Sequence, residues 1–169
     1  LYYTEPGQWQ VIEERLGTSP DSANPDRQFV WGLRYIDDLV LRDRDTDANG
    51  TLNERLYGLQ DANWNVIALT NVSGAVQERY CYSAYGLSIY MSPTFSSRTE
   101  SAFSWDFLYC AYKYDRSAHL LQARNRNYHQ YAGVWLTRDL FPDWSTNNLF
   151  EYCYSKPLSY TDPHGNVGF

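Results

Sequence analysis

Three charged residues in the C-terminal third have a spacing that suggests chemistry: Arg126, Asp139 and Asp162, the last opening the run Asp162-Pro163-His164-Gly165. Two carboxylates held close together cannot both ionise cheaply. One pKa therefore rises and the pair shares a proton, so that one acid can activate water while the other protonates a departing group. A guanidinium beside them would polarise a carbonyl or stabilise the oxyanion that forms from it. These are the parts of an aspartic-peptidase reaction. The same residues also have a structural reading. Asp162-Pro163-x-Gly165 is a good β-turn on propensity alone, Asp139 suits a cap on the turn before Phe141-Pro142, and Arg126 suits an ordinary partner for either acid.

Other chemistries find less support. Gly86-Leu87-Ser88-Ile89-Tyr90 lacks the second glycine of a nucleophile elbow, and the sequence holds no glycine-rich phosphate loop. His119, His129 and His164 stand apart, without zinc-type spacing, and read as solvated loop side chains. Cys81, Cys110 and Cys153 form no Cys-x-x-Cys pair and sit beside tyrosines in expected strands, which favours buried small hydrophobes over redox or zinc roles. Asp45-x-Asp47-x-Asn49-Gly50 copies the first half of an EF-hand loop. The twelfth position is Leu56 where a bidentate glutamate belongs, and both flanks look like strands, so an acidic hairpin loop turning at Asn49-Gly50 accounts for the same residues. Calcium at Asp45, Asp47 and Asn49 stands only as the weaker alternative, and no cofactor is implied.

The elements that must position these residues are β-strands. In 169 residues the chain holds 16 Tyr, 7 Phe and 6 Trp, rings that suit pleated, half-buried surfaces better than amphipathic helices. Tyr2-Tyr3 and Trp9 to Arg15 flank the turn dipeptide Pro6-Gly7 and predict a hairpin, with residues 9 and 11 facing one way. Residues 17 to 27 collect turn formers and read as a loop; Phe29 to Val40 is strand-rich. From Leu56 the chain repeats itself loosely: Trp64-Asn65-Val66-Ile67 echoes Trp9-Gln10-Val11-Ile12, and Tyr-x-Tyr recurs at 80/82, 112/114 and 152/154. Tyrosines at i and i+2 share a face, so the pattern predicts stacked hairpins whose rings pack on the next strand. Ser92 to Ser104 is polar and without period, and reads as a surface loop.

Net charge is −6, which repels a polyphosphate partner, so nucleic acid is disfavoured. No apolar run approaches the ~20 residues of a membrane span.

The tyrosine repeats, with Tyr114-Asp115, Arg126, Gly133, Leu136-Thr137, Asp139, Tyr152-Cys153-Tyr154 and Asp162-Pro163-His164-Gly165, resemble the RHS/YD-repeat proteins and the C-terminal part of their RHS repeat-associated core. The chain departs from that pattern at Asn127, Val134, Leu140 and Asn166. The resemblance implies a mainly all-β fold: a YD-repeat hairpin sheet or spiral over residues 1–120, closed by the end of the core plug over 121–169, with short helical turns. It implies a structural shell or plug module that encloses or presents a C-terminal cargo, toxin-like, with the rest of its own RHS-repeat chain as partner and a secreted or cell-surface location. It further implies self-cleavage with Arg126, Asp139 and Asp162 as catalytic residues and Gly165, Asn166 and Val167 as the cleavage region. A third reading from the resemblance is binding of a cell-surface glycan through exposed Tyr and Trp rings.

Overall fold

The computed structural model describes residues 1–4, 9–17, 24–139 and 148–166, and these are almost entirely antiparallel β structure. Nine strands lie in chain order across one sheet: β1 (Tyr2–Tyr3), β2 (Val11–Glu14), β3 (Arg27–Trp31), β4 (Leu39–Arg44), β5 (Glu54–Gln60), β6 (Val66–Thr70), β7 (Val76–Tyr82), β8 (Ser88–Met91) and β9 (Ser97–Arg98). A second sheet follows with β10 (Lys113–Asp115), β11 (Leu120–Ala123), β12 (Arg126–His129) and β13 (Val134–Trp135). Two 3-10 turns, Tyr109–Ala111 and Cys153–Ser155, are the helical elements among the described residues. The second sheet begins at Lys113, inside the segment read above as hairpin repeats.

The order of the large sheet follows from its loops. Asp61–Asn65, Asn71–Ala75, Ser83–Leu87 and Ser92–Ser96 are four copies of one five-residue turn. In each, the first residue's N–H donates to the fifth residue's carbonyl, and the fourth residue's N–H returns to the first residue's carbonyl. The first side chain then accepts amides further along the loop: Asp61 from Asn63 and Asn65, Asn71 from Ser73 and Ala75, Ser92 from Thr94 and Ser96, and Ser83 from Leu87. Asp, Asn and Ser are the residues that make such side-chain turns. The fourth position is left-handed in every copy, and is filled by Trp64, Gly74, Gly86 and Phe95. The two aromatic residues accept the strain, of order 1–3 kcal/mol, against contacts elsewhere. Trp64 stacks on Tyr35 with ring centroids 4.7 Å apart, and the Arg79 guanidinium lies 4.5 Å over Phe95.

The inner face of the large sheet is covered by the segment from Ser101 to Leu108, which carries Trp105, Phe107 and Leu108 onto Leu39, Leu56 and Leu69. Trp105 is 1% exposed and its indole N–H is satisfied by the Phe107 carbonyl at 2.7 Å. Truncating such a side chain typically costs about 3–5 kcal/mol. The segment is pinned by buried charges: Arg42 donates to the carbonyls of Phe103 and Ser104, and burial beside Arg44 pulls the Arg42 pKa down to about 10. The polar loop expected over Ser92 to Ser104 is thus only partly one. Ser101 is buried because its hydroxyl is a ligand of the buried Glu78.

Three further expectations need correction. Trp9 does not face inward with Val11; its backbone is left-handed (φ 56°), which turns the ring outward to 52% exposure. Tyr152-Cys153-Tyr154 is not a strand, because Cys153, Tyr154 and Ser155 all have positive φ and form a 3-10 turn. Cys110 likewise sits in a turn, and Cys81, on β7, is exposed; only Cys110 and Cys153 are buried. The turn expected at Pro6-Gly7 and most of the loop at 17–27 lie outside the described residues, although β1 and β2 pair as the hairpin requires.

Candidate functional site

The site is built where the second sheet meets the C-terminal turn. Strand β12 starts at Arg126, which pairs with Ala123 on β11, so the hairpin between them is a two-residue turn of Arg124 and Asn125. Strand β13 pairs Trp135 with Tyr128 and places the indole under the Arg126 guanidinium, 4.3 Å from its ring centroid. Beneath lies a core of aromatic side chains, including Tyr109, Tyr112, Tyr128 and Tyr152. Tyr112 reaches from the first 3-10 turn to hold Asp162 by its backbone, donating its hydroxyl to the Asp162 carbonyl at 2.7 Å and accepting the Asp162 N–H at 3.3 Å.

Arg126, Asp139 and Asp162 come together. One guanidinium nitrogen of Arg126, Nη2, binds Asp139 Oδ2 at 2.9 Å and Asp162 Oδ2 at 3.1 Å. Both acids therefore share one cation. Asp162 is 1% exposed, and burial raises its pKa above the ordinary carboxylate value; the Asn166 N–H and Arg126 oppose that rise, while the charge of Asp139 adds to it. Arg126 is buried, and its other terminal nitrogen, Nη1, has no hydrogen-bond partner.

The turn places a particular peptide bond against these groups. Pro163 presets its backbone angle, the Gly165 N–H closes the turn on the Asp162 carbonyl at 3.1 Å, and Gly165 is left-handed with φ 65°. Any Cβ at Gly165 would stand 2.4 Å from the Ala123 carbonyl oxygen, so glycine is required by sterics as well as by angle. The carbonyl of Gly165 accepts from Arg126 Nε, and the N–H of Asn166 donates to Asp162 Oδ1 at 2.9 Å. The Gly165–Asn166 bond is thus held at its oxygen by the arginine and at its nitrogen by an acid. Val167 and Leu140 lie outside the described residues.

Other expected residues go elsewhere. Asp45 accepts the backbone N–H groups of Asp47, Asn49 and Gly50, and Asn49 donates to Asp47, so these carboxylates are engaged in capping the β4–β5 loop. Leu39–Arg44 and Glu54–Gln60 on either side are strands, where an EF-hand needs helices. Gly133 does have a reason: its φ is 68°, and a Cβ there would meet the Tyr85 ring at 2.8 Å. Sequence reasoning missed the roles of Tyr112, which it saw only as half of a Tyr-x-Tyr pair, and of Arg124, Asn125 and Trp135, which no motif or spacing singled out.

No family model matches the chain. The tRNA3(Ser)-specific nuclease WapA of Bacillus spizizenii is 28% identical over 110 residues, which cover 63% of this chain and 4% of that protein. Among solved structures, the TcdB2-TccC3-Cdc42 crystal structure matches 75% of this chain with a TM-score of 0.63 at 18% identity. The Photorhabdus luminescens Tc holotoxin pore carrying a TccC3 mutation matches 100% with a TM-score of 0.57 at 13% identity. The chain spans 6% and 10% of those two chains. At such identities the likeness to Tc toxin components is one of fold alone, an all-β arrangement of antiparallel strands.

Proposed function

We propose that this chain is the closing part of an RHS-type β shell in a toxin-like, extracellular protein, and that it cuts its own backbone after Gly165 to free the segment that follows. The observation that carries this reading is the Gly165–Asn166 peptide lying between Arg126 Nε and Asp162 Oδ1, with Asp139 on the same guanidinium. In this reading Asp139 takes a proton from water, the water oxygen adds to the Gly165 carbonyl carbon, and Arg126 stabilises the oxyanion through Nε and its unpartnered Nη1. Asp162, whose raised pKa lets it hold a proton, gives that proton to the Asn166 nitrogen as the carbon–nitrogen bond breaks. The Gly165 carboxylic acid so formed returns a proton to Asp162 and the Asn166 amine takes the one held by Asp139, so the products are a carboxylate and an ammonium, both acids are reset, and atoms and charge balance without a cofactor.

The second reading keeps the shell and drops the cleavage. It is favoured by the departures from the RHS pattern at Asn127, Val134, Leu140 and Asn166, and in it the three residues simply tie the C-terminal turn to the second sheet. Expressing the chain with a C-terminal extension and weighing the product separates the two. Self-cleavage gives a fragment ending at Gly165 in the parent and uncut product in Asp139→Asn and Asp162→Asn. An uncut parent, or variants cut as well as the parent, leaves only the structural module.

A further inference from the structure

The two-residue turn between β11 and β12 makes contacts that the cleavage chemistry does not use. Its residues and the next one donate, in order, to three successive carbonyls of the C-terminal turn. Arg124 Nη1 binds the Pro163 oxygen, Asn125 binds the His164 oxygen through both its backbone N–H and its side-chain amide, and Arg126 binds the Gly165 oxygen. The match is in register, residue for residue. Arg124 takes part from a left-handed backbone (φ 45°) that a non-glycine residue seldom adopts, yet its side chain is only 8% exposed.

Its other end explains why. Arg124 Nη2 donates to Asp37 Oδ1 at 2.6 Å and to the Ile36 carbonyl at 3.4 Å. Asp37 lies in the loop between β3 and β4, is 3% exposed, and is fixed through its own carbonyl by the Gln60 amide of β5 at 2.8 Å. One guanidinium thus links the large sheet to the segment just before the Gly165–Asn166 bond. We propose that the Asp37–Arg124 pair is a positioning device, which sets where residues 163–165 lie and so brings the bond after Gly165 between Arg126 and Asp162. This rests on the self-cleavage reading for its purpose, but its geometry can be tested without cleavage.

The pair also makes the device sensitive to pH. Burial pushes Asp37 up to about 6 against the pull of Arg124; the other titratable groups near it are Tyr35 and Cys110, both raised by burial, and Lys113, which lines the same cleft. Below about pH 6 Asp37 takes a proton and its hold on Arg124 weakens.

The test is amide exchange by NMR at Asn125, Gly165 and Asn166 in the chain with its C-terminal extension, held uncut by Asp139→Asn, for Arg124→Met, Arg124→Lys and Asp37→Asn, alongside the rate of processing for the same three variants with Asp139 restored. Arg124→Met should lower protection at Gly165 and Asn166 by about tenfold or more, the scale of a lost charge-assisted hydrogen bond, with β4 to β6 unchanged and processing slowed in step. Arg124→Lys should recover part of both, and it decides the matter if Arg124→Met does not fold. With Asp37 intact, protection at Asn125 and Gly165 corrected for intrinsic exchange should fall as pH drops through about 6, and in Asp37→Asn it should be flat there; Asn166, which donates to Asp162, is left out of this comparison. Unchanged protection at Gly165 and Asn166, or a loss spread equally over β4 to β6, overturns the proposal. A parent that is never cut, while Arg124→Met still shows the local loss, ends the cleavage reading and upholds the anchoring.

Discussion

Glu78 and Asp162 are both buried carboxylates, 0% and 1% exposed, and both face an arginine, yet their surroundings differ in kind. Glu78 accepts four donors: the Ala102 N–H at 3.1 Å, Arg98 at 3.3 Å, the Tyr80 hydroxyl at 3.0 Å and the Ser101 hydroxyl at 2.6 Å. Its lone pairs are filled by these four donors, and it fastens the segment after β9 to the large sheet. Asp162 shares its arginine with Asp139, accepts one amide, and leaves the guanidinium a nitrogen without a partner. Burial of a charge alone does not mark a site. The two differ in the division of one cation between two acids beside a peptide bond held at both ends.

The largest effect expected from this contrast is at the closed cluster. Glu78→Ala should cost about 3–5 kcal/mol of unfolding free energy in urea, because it strands buried donors with no replacement; a cost below about 1 kcal/mol would break the contrast. Next comes Asp37, another buried acid. Its folded pKa of about 6 exceeds the ordinary 3.8, so the folded state binds the extra proton between those values. Stability from this group is greatest below about pH 4 and is lost as pH rises to about 6, by roughly 3 kcal/mol at the upper limit. The difference between parent and Asp37→Asn melting curves across that range isolates it from the surface acids. Gly165→Ala should cost about 1–3 kcal/mol in thermal unfolding and stop processing, since the Ala123 oxygen blocks a Cβ. The smallest test returns to the repeated loops. Gly74→Ala should cost about 1 kcal/mol for left-handed backbone alone, as nothing lies within 4 Å, whereas Gly86→Ala should cost more because the Tyr109 ring is 2.6 Å away.

Much of the fold could be read in advance because its causes are local. Asp61, Asn71, Ser83 and Ser92 close their own loops within five residues, and alternating residues such as Glu78 and Tyr80 point inward by strand geometry alone. The three residues of the candidate site were also visible, but only as a spacing. What hid Trp9, Cys153 and Tyr154 was the left-handed backbone, which their residue types disfavour and which only packing of the whole core sustains.

By itself the sequence determined the class of structure, an antiparallel hairpin strip rich in tyrosine, since period, turn residues and ring content act over short stretches of chain. Tertiary structure alone decided that Arg126 serves two acids at once, that Tyr112 grips Asp162 by its backbone, and that Arg124 reaches from Asp37 to Pro163. Those contacts join residues 13 to 87 positions apart. Only the packing of one sheet against the other makes them neighbours, and a linear pattern carries no distance information across such a gap.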